Sequence, residues 1–441
     1  MPKTKKEVSN MHFLYNLLAI VLVVLATPVF FIRLIREEGF GRRLQQSFGF
    51  LPKEDLASVV KQDCIWVHAA SVGEIVAASP IIKEIRYAFP DKPILVSVVT
   101  SSGYDMAKRI IKDADSIIFF PLDLPYLSHS VIKRIRPCVF LLVETELWPN
   151  FLKAARHFSI PVMMVNGRIS DKSVERYHYM RSVLKAMLNT VETFCMQSSI
   201  DAQYIIRLGA DKERVVVTGN TKFDQTYTNV TSEEQQTLLR ELGIENSFPV
   251  LMAGSTHPGE EEFLFTAFQK VKEEFPTAKL VIAPRDILRS EEIALLASKF
   301  GFSGKLRKDL LINPNTNHDV VLLDTIGELG KMYSLGTIVY VGGSLVPRGG
   351  HNILEPAAHG KPIIVGPHMF NFKDTYALFS EREACVTVYD ADGLGEKILE
   401  VVKNETLRLK MSQETITIIE ENRGASRKSV TYLKDLLARI N

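Results

Sequence analysis

The chain has 441 residues, 46% hydrophobic and 24% charged, with 53 basic against 51 acidic side chains and a formal charge of +2. That length supports two or three domains with real cores and rules out a peptide-like or disordered chain. The balanced charge, with no long basic stripe, argues against a nucleic-acid scaffold. Cys64, Cys138, Cys195 and Cys385 are widely scattered, without the paired spacing of zinc sites or of a small disulfide framework, which fits a reducing compartment.

The N-terminus departs from this average. No charged residue occurs between Glu7 and Arg33, a stretch of 25 positions, against about 20 needed for a helix to cross a bilayer core. Leu17 to Ala26 is its strictly apolar centre; Asn10, His12, Asn16, Thr27 and Pro28 interrupt the rest. An anchoring or membrane-embedded helix is the favoured reading. A cleaved signal peptide, with Lys3, Lys5 and Lys6 in front and Val24-Leu25-Ala26 as its small-residue end, competes with it, as does a buried core helix. Arg33, Arg36, Arg42 and Arg43 follow closely, so the positive-inside rule predicts the large C-terminal portion on the cytoplasmic side.

Beyond this segment, short apolar β-rich runs alternate with helical patterns, the mark of parallel βα units. Predicted strands in the first half are 64–68, 94–99, 116–120, 138–143, 162–165, 193–196 and 215–217; in the second half they are 250–253, 280–283, 320–323, 337–341, 363–365 and 385–388. The polar stretch Gln225 to Asn246, with Ser232 and Gln235 at capping-box spacing before a helix ending near Gly243, is the predicted boundary. The expected organisation is an anchor with its basic flank (1–45), a first Rossmann-like domain (46–224), a linker (225–246) and a second Rossmann-like domain (247–441). Two doubly wound domains facing one another bind ligands at the carboxyl ends of their strands, so chemistry is expected in the loops after strands.

Both halves open alike, with Ser71-Val-Gly73-Glu74 after the first strand of one and His257-Pro-Gly259-Glu260 after the first strand of the other. Ser71 to Glu74 is the S-x-x-E of a capping box, so Glu74 reads either as a helix cap or as a catalytic carboxylate. Pro80 should kink the helix that follows. Glu144-Thr-Glu146-Leu-Trp148-Pro149-Asn150 ends another strand. Period-two alternation would point Glu144 and Glu146 to one side, where like charges raise a pKa and suit acid/base work; the alternative is that one of them caps the next helix. Asn166-Gly-Arg168-Ile-Ser170 and Asn220-Thr-Lys222-Phe-Asp224 bring cations to the same strand ends, which favours an anionic ligand. In the second half, Pro284-Arg285, Ile326-Gly327-Glu328 and the glycine loop from Gly342 to Asn352 also follow strands. Four glycines in that loop let backbone approach a ligand, and a helix starting near Asn352 offers amides to a phosphate. The loop is neither G-x-G-x-x-G nor a Walker loop. Asn352 and Glu355 read either as a cap-like pair or as a ribose contact through Glu355. His68, His257 and His351 lack metal-ligand spacing, and Ser71 and Ser255 lie in no G-x-S-x-G elbow.

Taken in order, the stretches HAASVGE (68–74), TSSG (100–103), ETELWPN (144–150), NGRIS (166–170), GNTKFD (219–224), AGSTHPGEE (253–261), APR (283–285), DTIGEL (324–329), GGSLVPRGGHNILEPAA (342–358) and GPHMFNF (366–372) resemble the Kdo transferases of lipopolysaccharide synthesis. The resemblance implies an α/β fold of the GT-B class, two Rossmann-like domains facing a central cleft with an N-terminal membrane-anchoring helix, at the inner membrane with the catalytic domains cytoplasmic. It implies transfer of Kdo from CMP-Kdo to a lipid A precursor with inversion, without a metal and without a cofactor beyond the donor. Glu74 then matches the catalytic base, and Glu144 and Lys222 match positions that stabilise the transition state, with Glu146 as the alternative to Glu144. The nucleotide would be held by Pro284, Arg285, Ile326, Gly327, Glu328, Asn352, Ile353, Leu354 and Glu355. Ile326 and Ile353 stand where the family usually has methionine and proline. Other readings are a different GT-B nucleotide-sugar enzyme, such as a UDP-sugar transferase or epimerase, and a membrane-tethered binding protein that has lost catalysis.

Overall fold

The computed structural model describes residues 5–36, 39–169, 181–225, 229–314 and 316–440. Lys3 and Ser170, named above, lie outside the described residues. The chain divides into two compact units, Met1–Gln225 with Asn422–Asn441, and Thr226–Glu421.

In the first unit, helices α1 (Lys5–Arg36) and α2 (Phe40–Ser47) precede a parallel sheet of β1 (Ile65–His68), β2 (Ile94–Val98), β3 (Ser116–Phe119), β4 (Val139–Val143), β5 (Val162–Gly167), β6 (Val191–Met196) and β7 (Val215–Val217), in the order β3-β2-β1-β4-β5-β6-β7. The five strands from β1 to β5 are buried along their whole length. That is why they read as unbroken apolar runs rather than alternating ones. Helix α3 (Val72–Ala88) follows β1 and carries Pro80, the expected kink position, inside it. The helix Pro149–His157, α4, follows β4.

Helix α1 carries an 18-residue window, Phe13–Phe30, of mean hydropathy 2.4 that is not buried by the rest of the protein, so it is no core helix. It meets the first unit at both ends. Near its start, the Tyr15 hydroxyl donates to Asp123 (2.9 Å) and Asn150 donates to the Asn16 side-chain oxygen (2.9 Å). Near its end, the Phe30 and Phe40 rings lie 6.3 Å apart. Residues 15 to 30 span only about 22 Å of helix, so α1 runs along the surface of the domain with Leu18, Leu22 and Leu25 turned outward.

The second unit begins with α5 (Ser232–Glu241). Its capping box is formed by Thr231 and Glu234, one residue before the predicted pair, because Thr231 holds the extended backbone that an N-cap needs. The helix is part of the second unit, where a linker was expected. Its parallel sheet comprises β8 (Val250–Thr256), β9 (Lys279–Pro284), β10 (Gly304–Leu306), β11 (Val320–Leu322), β12 (Ile338–Val341), β13 (Ile363–Val365) and β14 (Cys385–Thr387), in the order β10-β11-β9-β8-β12-β13-β14. Helix α6 (Glu260–Glu274) follows β8, and α7 (Leu354–Ala358) follows the glycine loop.

The last helix, α8 (Ala425–Ile440), does not belong to this second unit. The expectation of one domain over 247–441 is therefore corrected. Val430, Leu433, Leu436 and Leu437 are buried in the same cluster as Ile75, Ile81 and Val165 of the first unit. Asp224 holds its start, accepting from the amides of Gly424 (2.5 Å) and Ser426 (2.6 Å).

Candidate active site

In each sheet the strand order reverses between two neighbours, β1/β4 in the first and β8/β12 in the second. The crevice at such a switch point, outside the carboxyl ends of the strands, is where doubly wound sheets bind ligands. Glu74 and Glu146 follow β1 and β4; Glu260 and the glycine loop follow β8 and β12.

In the first domain, Ser71 caps α3 by accepting from the Glu74 amide (3.4 Å), while the Glu74 carboxylate accepts from the Ala70 amide (2.6 Å) and the Ser71 hydroxyl (2.9 Å). The capping role is thus present. The same carboxyl is pushed up from 4.5 to about 7, by burial first and then by the negative charge of Glu146, with Glu144 contributing, against the bonds from Ala70 and Ser71. A helix cap and a carboxyl raised to about 7 therefore coexist in one side chain.

The two carboxylates after β4 reach this position differently from the alternation expected of an extended chain. Glu144 sits in the left-handed region, φ +59°, a costly conformation for a residue with a side chain and one found at functional sites. Its Oε1 lies 3.7 Å from Lys222 Nζ. Glu146 accepts from the Trp148 indole (3.0 Å), which also points at His68 Nε2 (3.1 Å). Because that nitrogen accepts, the imidazole proton sits on Nδ1, directed at Ser97 Oγ (3.0 Å). Complete burial lowers the His68 pKa and keeps the ring neutral, so its 3.7 Å approach to Glu146 is not an ion pair. Ser97, which also accepts from Trp66 (2.8 Å), was not singled out in the sequence; a lone serine inside an apolar strand is its only signal.

Lys222 is positioned by Asn166, another left-handed residue (φ +53°), whose side-chain oxygen accepts from the Thr221 amide (3.0 Å). Thr221 in turn donates to the Ala77 carbonyl of α3 (2.8 Å), and Asn220 caps the turn by accepting from the Lys222 amide (3.0 Å). The hydroxyl of Thr145 donates to the Arg168 carbonyl. The motifs ETE, NGR and NTK are thereby tied to one another and to the helix that carries Glu74.

The second domain is built around Glu260, a fully buried carboxylate. It accepts from the amides of Gly343 (2.7 Å), Ser344 (3.0 Å), Leu345 (3.0 Å) and His257 (2.9 Å) and from the Tyr340 hydroxyl (2.7 Å). Three amides of the glycine loop are thus bound to a carboxyl of the protein itself. The glycines have an internal reason as well. Gly343, Gly349 and Gly350 hold φ of +67°, +96° and +74°, and a Cβ on Gly342 would strike the Ser255 carbonyl. His257 and His351 stack with Nε2 atoms 2.9 Å apart, and burial, then the charges of His257 and Arg285, hold His351 at about 4.

Of the predicted nucleotide residues, Arg285 is exposed and its amide donates to Thr256 (2.9 Å). Ile326 is exposed, Gly327 has φ +93°, and Glu328 lies 3.4 Å from Arg307. Helix α7 starts at Leu354, not Asn352, and has five residues. Asn352 accepts from the Leu354 amide (3.1 Å) and donates to Glu355 (3.4 Å), the cap-like pairing, and burial raises the Glu355 pKa. Ile353 and Leu354 are buried, so only their backbone can meet a ligand. Among the described residues no three His, Cys, Asp or Glu side chains come together as a metal site.

Two Rossmann-like domains, each with polar groups gathered at its switch point, define an enzyme of the GT-B architecture used by nucleotide-sugar enzymes. Residues 42–225 match the family model of 3-deoxy-D-manno-octulosonic-acid transferase (kdotransferase). The chain is 32% identical over 408 residues to the 3-deoxy-D-manno-octulosonic acid transferase of Haemophilus influenzae, covering 92% of this chain and 94% of that one. It is 34% identical to a bifunctional glycosyltransferase/methyltransferase of Fusobacterium nucleatum, covering 93% of this chain and 61% of that protein. UDP-GlcNAc 2-epimerase from Neisseria meningitidis, solved with UDP-GlcNAc, shares the fold at 14% identity and a TM-score of 0.56, over 85% of this chain and 99% of the other. The chain belongs to the 3-deoxy-D-manno-octulosonic acid (Kdo) transferase family and is a glycosyltransferase.

Proposed function

We propose that the enzyme transfers Kdo from CMP-Kdo to a sugar hydroxyl of a lipid A precursor in lipopolysaccharide synthesis, with inversion and with Glu74 as general base. The observation that carries this is the Glu74 carboxyl, held at the switch point with a pKa of about 7, suited to taking a proton near neutral pH. The acceptor hydroxyl gives its proton to Glu74 as its oxygen bonds to the anomeric carbon of Kdo, and the bond from that carbon to the phosphate oxygen of CMP breaks, the electron pair leaving with CMP. Lys222, held by Asn220 and Thr221 and beside Glu144, stabilises the charge that develops on the donor. Arg285, with Pro284, Ile326 to Glu328 and Asn352 to Glu355, holds the CMP moiety. No step needs a divalent ion.

The enzyme sits at the inner membrane on its cytoplasmic side. Helix α1 contributes apolar surface, and Arg33 and Arg42, both exposed, meet anionic head groups. The test is incubation of purified enzyme with CMP-Kdo and lipid A precursor, with and without EDTA, read by product mass. Wild type should add Kdo in both conditions. Glu74→Gln should lose transfer by at least about 100-fold while still binding CMP and melting as wild type does. Transfer retained in Glu74→Gln overturns the base assignment; loss of folding would leave Glu74 only as a cap.

A further inference from the structure

A cavity of about 160 Å³ opens between α1, α2 and the loop after β3. Its lining is mostly apolar and aromatic, including Val29, Phe30, Leu44, Phe120 and Trp148; Arg33, Arg43, Ser47 and Asp123 also line it, the Asp123 carboxyl accepting from the amides of Asn150 (3.0 Å) and Phe151 (2.9 Å). An apolar cavity of about 150 Å³ takes a benzene-sized guest, so the apolar part of this one has room for a segment of a hydrocarbon chain. Three observations give the occupant its chemistry. The cavity borders the one helix of the described residues that is long and apolar enough for a membrane, so a lipid reaches it sideways. Two guanidinium groups in the lining, that of Arg43 also donating to Ser101 (3.2 Å), complement a phosphate, which an acylated sugar phosphate carries beside its chains. Trp148 lines the cavity with its ring while its indole N–H bonds Glu146 (3.0 Å), the charge that acts most on Glu74.

We propose that this cavity is an acyl-chain subsite of the lipid acceptor, with Arg33 and Arg43 at the acceptor phosphate, so that seating the chain brings the sugar hydroxyl toward Glu74. The inference rests on the lipid acceptor proposed above. It is tested by narrowing the cavity from opposite walls with Leu44→Trp and Val29→Trp, neither in the catalytic or nucleotide-binding set, and measuring transfer to a lipid A precursor and to its deacylated sugar phosphate. For the acylated acceptor, KM should rise about tenfold, as for excluding two methylene groups from an apolar site, with kcat unchanged; for the deacylated acceptor both constants should stay at wild-type values. Val29 is exposed on α1, so its variant keeps the test open if Leu44→Trp fails to fold, and wild-type kinetics with the deacylated acceptor certify the fold of both. Equal change, or no change, with the two acceptors overturns the subsite. Weaker vesicle binding with unchanged acceptor kinetics overturns it too, by assigning the cavity to bulk lipid. Failure of wild type to use either acceptor overturns the lipid-acceptor reading and this one with it.

Discussion

Glu74 caps a helix and, in the reaction proposed above, is also the general base, and the two roles pull on its carboxyl in opposite directions. Its bonds from Ala70 and Ser71 stabilise the anion and lock the rotamer, and burial beside Glu146 and Glu144 works against the anion. The second effect wins, and the pKa rises to about 7. A base must be deprotonated to act, so transfer should fall as pH drops through about 7. Replacing Glu146 with Gln removes the larger of the two charge effects and moves the acid limb of kcat/KM to lower pH; a limb that stays in place would show burial alone sets it. Linkage has the matching sign. A carboxyl whose folded pKa is raised contributes stability at low pH, and that contribution is lost as pH rises from 4.5 through about 7. Activity and the stability from this group therefore run in opposite directions with pH.

At the level of elements, strand ends and the turns after them carry the design. Thirteen of the strands are legible in the sequence as short apolar, β-rich runs, unbroken where, as in β1 to β5, the strand is buried along its whole length. The missed one, β10 (Gly304–Leu306), is a three-residue edge strand without a β-branched residue, so it carries no such run. Site residues after strands are legible for the same reason, but their geometry is not. Glu144 and Asn166 lie in the left-handed region, which no periodicity announces. The glycine loop is the clearest case. Its glycines suggest close approach of backbone to a ligand, whereas the amides of Gly343, Ser344 and Leu345 bind Glu260, eighty-odd residues upstream in the chain and read from sequence only as a carboxylate in a turn. Glu260→Gln should cost about 2–3 kcal/mol, because an amide group would turn a donor toward N–H and O–H donors that have no other acceptor. Urea unfolding measures it, and an unchanged midpoint would mean that the loop finds other acceptors.

For the whole molecule, the sequence marks where the first sheet stops but not where the first domain ends. The chain leaves at Gln225, builds the second unit, and returns with α8, whose apolar face closes the first core beside α3. Nothing in the amphipathic pattern of a C-terminal helix says which of two sheets it covers; the choice is made by Asp224, which anchors the start of α8 through two backbone amides, and by Gly219, against whose backbone Ala425 packs. Removing residues 422–441 should therefore damage the distant domain. Val430, Leu433, Leu436 and Leu437 would leave four buried apolar side chains' worth of core uncovered, about 6–12 kcal/mol together, comparable to the whole margin of a typical domain, about 5–15 kcal/mol. Limited proteolysis of the truncated chain should degrade residues 1–225 and leave a resistant core within 226–421. Fusing residues 422–441 directly after residue 225, in a chain lacking the second unit, should restore a cooperatively melting first domain; resistance of 1–225 without that helix would place the domain boundary where the sequence alone suggests it.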